Sequence, residues 1–421
     1  MAEKNYLIHT PEGVRDIYNS ECRRKLAVQE TILKVLYSYG YEHIQTPSFE
    51  FFDIFSKDRG SVGSGEMFKF FDRDNNTLVL RPDMTPAVAR CVAKYYYDDP
   101  MPLRLCYLER TFKNNTSYQG RLKERTETGA ELIGDDCADA DAEMIAMVID
   151  SLRAAGLAEF QVELGHVEFY RSLVEEAGLD EETQETLNHL IENKNNFGVE
   201  ELLRDLPMDE GLKQLFVRLP GLFGTLDEIR QVRELTDNPR ALNAIRRLEE
   251  VHGILAELGL SEYVTYDLGM LSNYRYYTGI IFKAYTYGTG DYIVTGGRYD
   301  KLLIQFGKDA PAVGFVIVVD QLMAALSRQG IDVPVTLLNT VILYEPSARA
   351  SALWLAGYFR KRNLAVQSMK RDEGKSLEEY RQMVAQRGQR NLLYLKGDGQ
   401  VVLAMDLVKG SEDAIPLSAY E

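Results

Sequence analysis

Carboxylates and hydroxyls occur together in three short polar stretches that end or interrupt apolar runs, namely "LRPDMT", "TETGAEL" and "YRYYTG". Their side chains suited to ligand binding are Asp83, Thr85, Glu127, Glu131, Tyr276 and Tyr277. An ammonium group binds carboxylates and hydroxyls, and a polar aromatic group binds a carboxylate and a phenol. One interpretation is therefore a pocket for an amino acid with a polar aromatic side chain. On composition alone, ordinary polar residues at strand ends are the stronger interpretation.

Within such a pocket the residue types suggest a division of roles. Asp83, Thr85 and Glu127 could hold the ammonium group. Glu131 and Tyr277 could hold the aromatic side chain. Glu127 and Glu131 are four residues apart on an extended stretch, so both side chains point to the same face.

Several common kinds of site are missing from the sequence. There is no P-loop, no GxGxxG after a strand, no GxSxG, no CxxC and no metal-type histidine spacing. We therefore expect no cofactor and no metal. The net charge of −16 argues against a general nucleic-acid binder, although not against one local basic groove.

The location of the protein is predicted from what the sequence does not contain. It has no apolar run of membrane-spanning length and no signal-peptide core near its start. Its four cysteines are widely scattered, which is typical of reduced thiols. We expect a cytoplasmic protein that does not contact membranes.

Acidic residues cluster at the start of a predicted helix over residues 134–156: Asp135, Asp136, Asp139 and Asp141. Such a cluster could bind a divalent metal. A solvated helix N-terminus, where carboxylates suit the helix dipole, is the favoured interpretation.

Hydrophobic patterning predicts two domains. Residues 1–327 form a core of helices and strands with a polar, helical insertion at about 170–260. A linker is expected between Arg328 and Thr336. Residues 337–421 alternate strands with helices, which predicts a small α/β domain with parallel strands.

Six stretches in order resemble motifs of the histidyl-tRNA synthetase lineage of class II synthetases: "TPEGVRD", "LRPDMT", "GR…TGAELIG", "YYTG", "GGRYD" and "PAVGF". The resemblance runs from about Thr10 to Leu326. From about Thr340 the tail is similar, more weakly, to the α/β anticodon-binding domain of that lineage. The resemblance implies an α+β fold, with a mostly antiparallel sheet flanked by helices, that usually forms homodimers.

The departures from that lineage fall on its chemistry. Lys113 and Gln321 stand where its second and third motifs have arginines, and Ser272 stands where an arginine opens its histidine-specific loop. Lysine cannot reproduce the planar bidentate grip of arginine, and glutamine and serine are uncharged. Since losing one preorganised donor commonly costs ~10²–10³ in rate, we do not expect adenylate chemistry.

The positions at which that lineage contacts the amine and the side chain of histidine are retained better than its three arginine positions. Thr85, Glu131 and the tyrosine pair match the lineage, Asp83 replaces a glutamate and Glu127 replaces a glutamine. A pocket without catalytic arginines resembles the paralogous family of ATP phosphoribosyltransferase regulatory subunits. The histidine-binding residues that this resemblance implies are Asp83, Thr85, Lys113, Glu127, Glu131, Tyr276 and Tyr277.

That resemblance implies a non-catalytic subunit that partners the short catalytic subunit of a glycosyltransferase in the first step of histidine biosynthesis. It also implies feedback control by histidine, and a homodimer within a larger hetero-oligomer. Two alternatives stay open. One is an active histidyl-tRNA synthetase in which Arg121, Arg125 or Arg275 replaces the missing groups. The other is a synthetase-like module that binds another amino acid or a protein, since Lys113 and Ser272 weaken the carboxylate grip.

Overall fold

The computed structural model describes residues 8–56, 62–115, 122–271, 276–335 and 339–420. The chain divides into two compact units, Met1–Val333 and Pro334–Glu421. The helices formed by the described residues are α1 Asn19–Ser38, α2 Thr85–Tyr95, α3 Ala138–Ala154, α4 Val167–Ala177, α5 Glu181–Glu192, α6 Asn196–Leu203, α7 Glu210–Arg218, α8 Leu226–Arg230, α9 Pro239–Glu257, α10 Val319–Arg328, α11 Arg349–Arg360 and α12 Leu377–Gln386.

The strands are β1 Glu42–His43, β2 Phe49–Phe51, β3 Lys69–Phe71, β4 Thr77–Leu80, β5 Leu103–Phe112, β6 Glu124–Ile133, β7 Phe160–His166, β8 Phe223–Gly224, β9 Val264–Asp267, β10 Ile280–Thr286, β11 Val294–Arg298, β12 Ala312–Val318, β13 Thr340–Tyr344, β14 Val366–Lys370, β15 Asn391–Leu395, β16 Val401–Asp406 and β17 Ser411–Pro416.

The first unit is built on a large sheet with the strand order β1-β5-β6-β12-β11-β10-β7-β9-β8. Its neighbouring strands are antiparallel except for the pairs β1–β5 and β7–β9. A smaller antiparallel sheet has the order β2-β4-β3. Helices α4 to α9 come between β7 and β9, interrupted by the short strand β8. The prediction of a mostly antiparallel sheet with flanking helices is confirmed.

Helix α1 shows why the core forms. Val28, Ile32 and Leu36 recur every four residues and are fully buried, so one stripe of the helix faces the core. The helix ends just before Gly40, whose φ of +83° is readily adopted only by glycine. α1 packs against α3, which in turn contacts β12.

The acidic start of α3 differs from the prediction of a solvated helix end. Asp139 is exposed, but Asp141 is completely buried. Its carboxylate accepts hydrogen bonds from Arg298 at 2.9 Å and from Arg247 at 2.7 Å. The sequence could not reveal this because both arginines are more than 100 residues away in the chain. The two ion pairs join α3 to β11 and to α9.

The second unit is a five-stranded sheet with the order β14-β13-β15-β16-β17. β13 pairs in parallel with both β14 and β15, as predicted. For β16 the prediction of a parallel strand is wrong, because β15 and β16 are antiparallel, and so are β16 and β17. The reason is the short connection at residues 396–400, since parallel neighbours need a crossover of a dozen residues or more.

In the described ranges, no helix is both long and apolar enough to cross a lipid bilayer.

We predict that Asp141→Asn lowers the free energy of unfolding by about 3–5 kcal/mol, because it leaves two arginines facing a neutral partner inside the protein. Urea unfolding followed by circular dichroism measures the change. Asp139→Asn is the matched control at the same helix end and should cost less than about 1 kcal/mol. Equal effects of the two substitutions would contradict a structural role for the buried ion pairs.

Candidate functional site

The site is built around Glu131, in the middle of the sheet. Glu131 lies on β6 opposite Leu105 of β5 and Gly314 of β12. A Cβ atom at position 314 would lie 1.7 Å from Oε2 of Glu131. Only glycine therefore leaves room for the carboxyl group between these strands.

The carboxyl group of Glu131 is 1% exposed and is surrounded by hydroxyls. The Tyr299 hydroxyl donates to Oε2 at 2.5 Å, and the hydroxyls of Thr85 and Tyr107 donate to Oε1 at 3.1 and 3.4 Å. Burial raises the pKa of Glu131 to about 8, against the smaller opposite effect of these hydrogen bonds. At neutral pH the group is therefore mostly protonated, and a cationic ligand would favour its ionised form.

Asp83 forms the second acidic position of the site. Its Oδ1 accepts from the backbone NH of Thr85 at 3.1 Å, at the start of α2. Its Oδ2 accepts from the Tyr276 hydroxyl at 3.0 Å. The Tyr276 ring lies edge-on to Tyr277, with centroids 5.0 Å apart, and edge-on to Tyr299 at 5.9 Å. Tyr276 is thus held between Asp83 and Tyr299, and Tyr277 packs against its ring.

A small cavity of about 20 Å³ is lined by Thr85 and Tyr299, which contact Glu131, and by the tyrosine pair. Its lining residues are Asp83, Thr85, Tyr276, Tyr277, Thr295, Tyr299, Gly314, Phe315 and Val316. Such a volume holds about one water molecule. An imidazole-sized group would therefore have to move the tyrosines outward to enter.

Glu131 itself and the other predicted site residues, Glu127 and Lys113, are not among the residues that line this cavity. Glu127 lies on the same face of β6 as Glu131 and is buried, and burial raises its pKa. The charge of Lys113 acts in the opposite direction and that of Asp83 in the same direction, so all three groups interact. Ser272 lies outside the described residues.

Gln321, at the position of the third-motif arginine, lines a separate cavity of about 440 Å³. The other lining residues are Arg15, Leu122, Arg125, Gly290, Asp291, Val318, Asp320, Ala324 and Arg328. Of the three arginines considered as replacements, Arg125 lies here, whereas Arg121 and Arg275 are outside the described residues. Asp320 is fixed by Lys25 and by the backbone NH of Thr126, both at 2.7 Å.

Comparison with known proteins agrees with this architecture. The profile of the histidyl-tRNA synthetase family matches residues 13–322. An ATP phosphoribosyltransferase regulatory subunit from Acetivibrio thermocellus is 39% identical over 418 residues, which is 99% of each chain. A protein of the same name from Ruminiclostridium cellulolyticum is 37% identical over 94% of each chain.

This chain belongs to the family of ATP phosphoribosyltransferase regulatory subunits.

Solved structures place the family within the synthetase fold. A crystal structure from Bacillus halodurans is described as an ATP phosphoribosyltransferase regulatory subunit/histidyl-tRNA synthetase. It has a TM-score of 0.83 and 31% identity, and the match covers 94% of this chain and all of that one. Histidyl-tRNA synthetase from Nostoc has a TM-score of 0.81 at 20% identity, with 98% of each chain covered, which shows a shared fold.

The sequence interpretation of this regulatory-subunit family member missed two residues of the site, Tyr107 and Tyr299. Tyr299 belongs to the quoted "GGRYD" stretch, next to Arg298, so that stretch was the available signal. Tyr107 lies inside the apolar strand β5, where a tyrosine is an ordinary core residue. Arg298 itself contacts Asp141 and not the cavity.

We predict that the free energy of unfolding of the Glu131→Gln variant increases, relative to that of the native chain, as the pH rises from about 5 to about 9. The folded-state pKa of Glu131 lies above that of an unfolded glutamate, so the native chain loses stability over this range while glutamine does not titrate. The relative gain is on the order of a few kcal/mol at most. Urea unfolding at several pH values measures it, and a difference that does not vary with pH would contradict the raised pKa.

Proposed function

We propose that the chain is a non-catalytic regulatory subunit of ATP phosphoribosyltransferase and that it binds histidine at Glu131 and the tyrosine pair. It would activate the short catalytic subunit and make that enzyme sensitive to histidine. The observation that carries the proposal is a buried carboxyl group held only by hydroxyls in the described structure, at a position where an imidazole could share its proton.

The chemistry of histidine suits the two carboxyl groups. The pKa of an imidazole lies within about two units of the raised pKa of Glu131, so the two groups can share one proton. Asp83 and the Thr85 hydroxyl would hold the ammonium group, with Glu127 and Lys113 beyond them. Lys113 offers a single positive charge to the carboxylate of the ligand in place of a bidentate arginine.

Binding must be linked to a change of shape if it is to regulate a partner, because a ligand shifts an equilibrium only by its differential affinity. The small cavity would require such a change, because an imidazole could enter only if lining side chains such as Tyr277 moved. The backbone carbonyl of Tyr277 accepts from Arg171 of α4 at 3.2 Å, and Arg171 pairs with Glu168 at 2.9 Å. Glu168 also pairs with Arg240 of α9 at 2.7 Å. We propose that these contacts carry the movement to the helices between β7 and β9.

We predict that the purified chain stimulates its cognate short transferase and that histidine inhibits the complex. Glu131→Ala and Tyr277→Phe should leave stimulation in place and weaken inhibition by histidine at least about tenfold, because they remove the partner of the imidazole. Steady-state assays with histidine titrations measure both quantities. Glu163→Ala, on β7, is a control carboxylate away from the cavity.

The outcomes separate the alternatives. Histidine-dependent exchange of pyrophosphate into ATP would support an active synthetase and contradict the proposal. A preference for an amino acid without an imidazole would favour a synthetase-like module of another specificity. Failure of the chain to stimulate the transferase would contradict the proposed regulatory role.

We further propose that the chain forms homodimers through the exposed face of the small sheet. Phe49, Phe51 and Phe70 are 53%, 56% and 37% exposed, and the rings of Phe49 and Phe70 lie 5.9 Å apart. The strand register puts Leu78 and Leu80 of β4 opposite them. A contiguous apolar face of this kind is rarely left in water.

We predict that the double substitution Phe49→Ser and Phe51→Ser converts the dimer to a monomer, because it removes the centre of the apolar face. Size-exclusion chromatography with light scattering measures the mass. Phe197→Ser, at an exposed phenylalanine of α6, is the control and should stay dimeric. A monomeric native chain, or a dimeric double variant, would contradict this interface.

A further inference from the structure

The second unit contains a run of residues whose charged members are all basic. Residues 346–371 contain six lysines and arginines and no aspartate or glutamate, in a chain whose net charge is −16. The run includes all of helix α11. Acidic residues are otherwise frequent along the sequence, so this surface differs in sign from most of the protein.

Helix α11 combines that charge with exposed apolar side chains. Ala352, Leu355 and Ala356 are buried and attach the helix to its own sheet. On the other side Leu353 is 51% exposed and Trp354 is 42% exposed. The exposed side of α11 therefore presents apolar surface that the second unit does not use in its own core.

An aromatic stack extends this surface to the end of the helix. Tyr358 lies one turn after Trp354, and their rings stack with centroids 5.8 Å apart. The guanidinium of Arg362 lies 3.5 Å from the centroid of the Tyr358 ring. Leu364, just beyond, is 50% exposed. The stack holds large side chains in fixed positions, which lowers the entropy that a partner would have to remove on binding.

The basic residues around the stack are available to a partner. Arg349, Arg360, Lys361 and Arg362 are exposed, and none of them forms an ion pair with a carboxylate of the described residues. Arg371, at the end of the same run, instead pairs with Glu345. Four positive charges that have no carboxylate partner among the described residues thus lie around an apolar centre.

The stack fits a protein better than a nucleic acid. Single-stranded nucleic acids use successive free aromatic faces. Here the Tyr358 ring is stacked against Trp354 and also covered by Arg362, and exposed leucines lie beside it. Tryptophan, tyrosine and arginine around an apolar centre are instead the residues that dominate protein–protein contacts.

We propose that the exposed face of α11, with Leu353, Trp354 and Tyr358 at its centre and Arg349, Arg360, Lys361 and Arg362 around it, docks an acidic protein surface that has an apolar pocket for Trp354. We assign that surface to the catalytic subunit of the transferase. This assignment of the partner rests on the proposed function.

Trp354 is the only tryptophan in the chain, so it reports on its own surroundings. The full chain is labelled with 5-fluorotryptophan and mixed with unlabelled catalytic subunit. The single fluorine-19 resonance should shift on binding. Its chemical shift should also stop changing when H₂O is replaced by D₂O, because docking covers the ring.

Affinity measurements test the same face. The double substitution Arg360→Glu and Lys361→Glu, and separately Leu353→Ser, should weaken the complex at least about tenfold, and added salt should weaken the native complex. The matched controls are Lys409→Glu and Val408→Ser, at exposed positions of the same unit outside the run. They should bind like the native chain.

A complex that stimulates the enzyme while the resonance stays unchanged and all variants bind equally would overturn this docking face and leave the proposed function intact. Absence of any complex would overturn both. A shift caused by single-stranded RNA at physiological salt, but not by the catalytic subunit, would overturn the assignment to a protein partner.

Discussion

A buried carboxyl group at Glu131 is the constraint on which the site depends. Removing an ionised carboxylate from water is so costly that the group must be paired with a cation or carry a proton. In the described structure it has three hydroxyl partners, and burial raises its pKa to about 8. The antiparallel register that puts Gly314 opposite it leaves the space. Gly314 also lines the cavity, next to the tyrosine pair.

The same unit contains a second buried carboxylate, whose charge is stabilised by cations. Asp141 is also fully buried, but two arginines neutralise it. One of them, Arg298, is the residue before Tyr299, whose hydroxyl contacts Glu131. A single short stretch therefore supports the fold through its arginine and the site through its tyrosine. A carboxylate that is already paired with two arginines is poorly suited to bind a cationic ligand, whereas Glu131, which has no cationic partner in the described part of the chain, is well suited to it.

Much of the architecture follows from local patterns in the sequence. The helix over residues 134–156, the helical insertion at about 170–260 and the alternating elements of the second unit are where their patterns predict them. The antiparallel pairing of β16 and the burial of Asp141 were missed. Pairing and burial depend on partners distant in the chain, which local periodicity does not encode. For the site, residue types indicated Asp83, Thr85, Glu131 and the tyrosines, but Tyr107 could not be separated from ordinary core residues.

The central claim is that histidine shares one proton with Glu131, and its most direct test is calorimetric titration of histidine in buffers of different ionisation enthalpy. Near pH 7 the carboxyl group already holds the shared proton, so binding should take up almost none. Near pH 9 both groups have lost their protons, and binding should take up about one proton per histidine. The Glu131→Gln variant should take up about one proton fewer than the native chain near pH 9, which leaves only the part that reprotonates the α-amino group of histidine and is common to both proteins. Absence of binding, or binding with the same proton uptake at both pH values, would contradict the account.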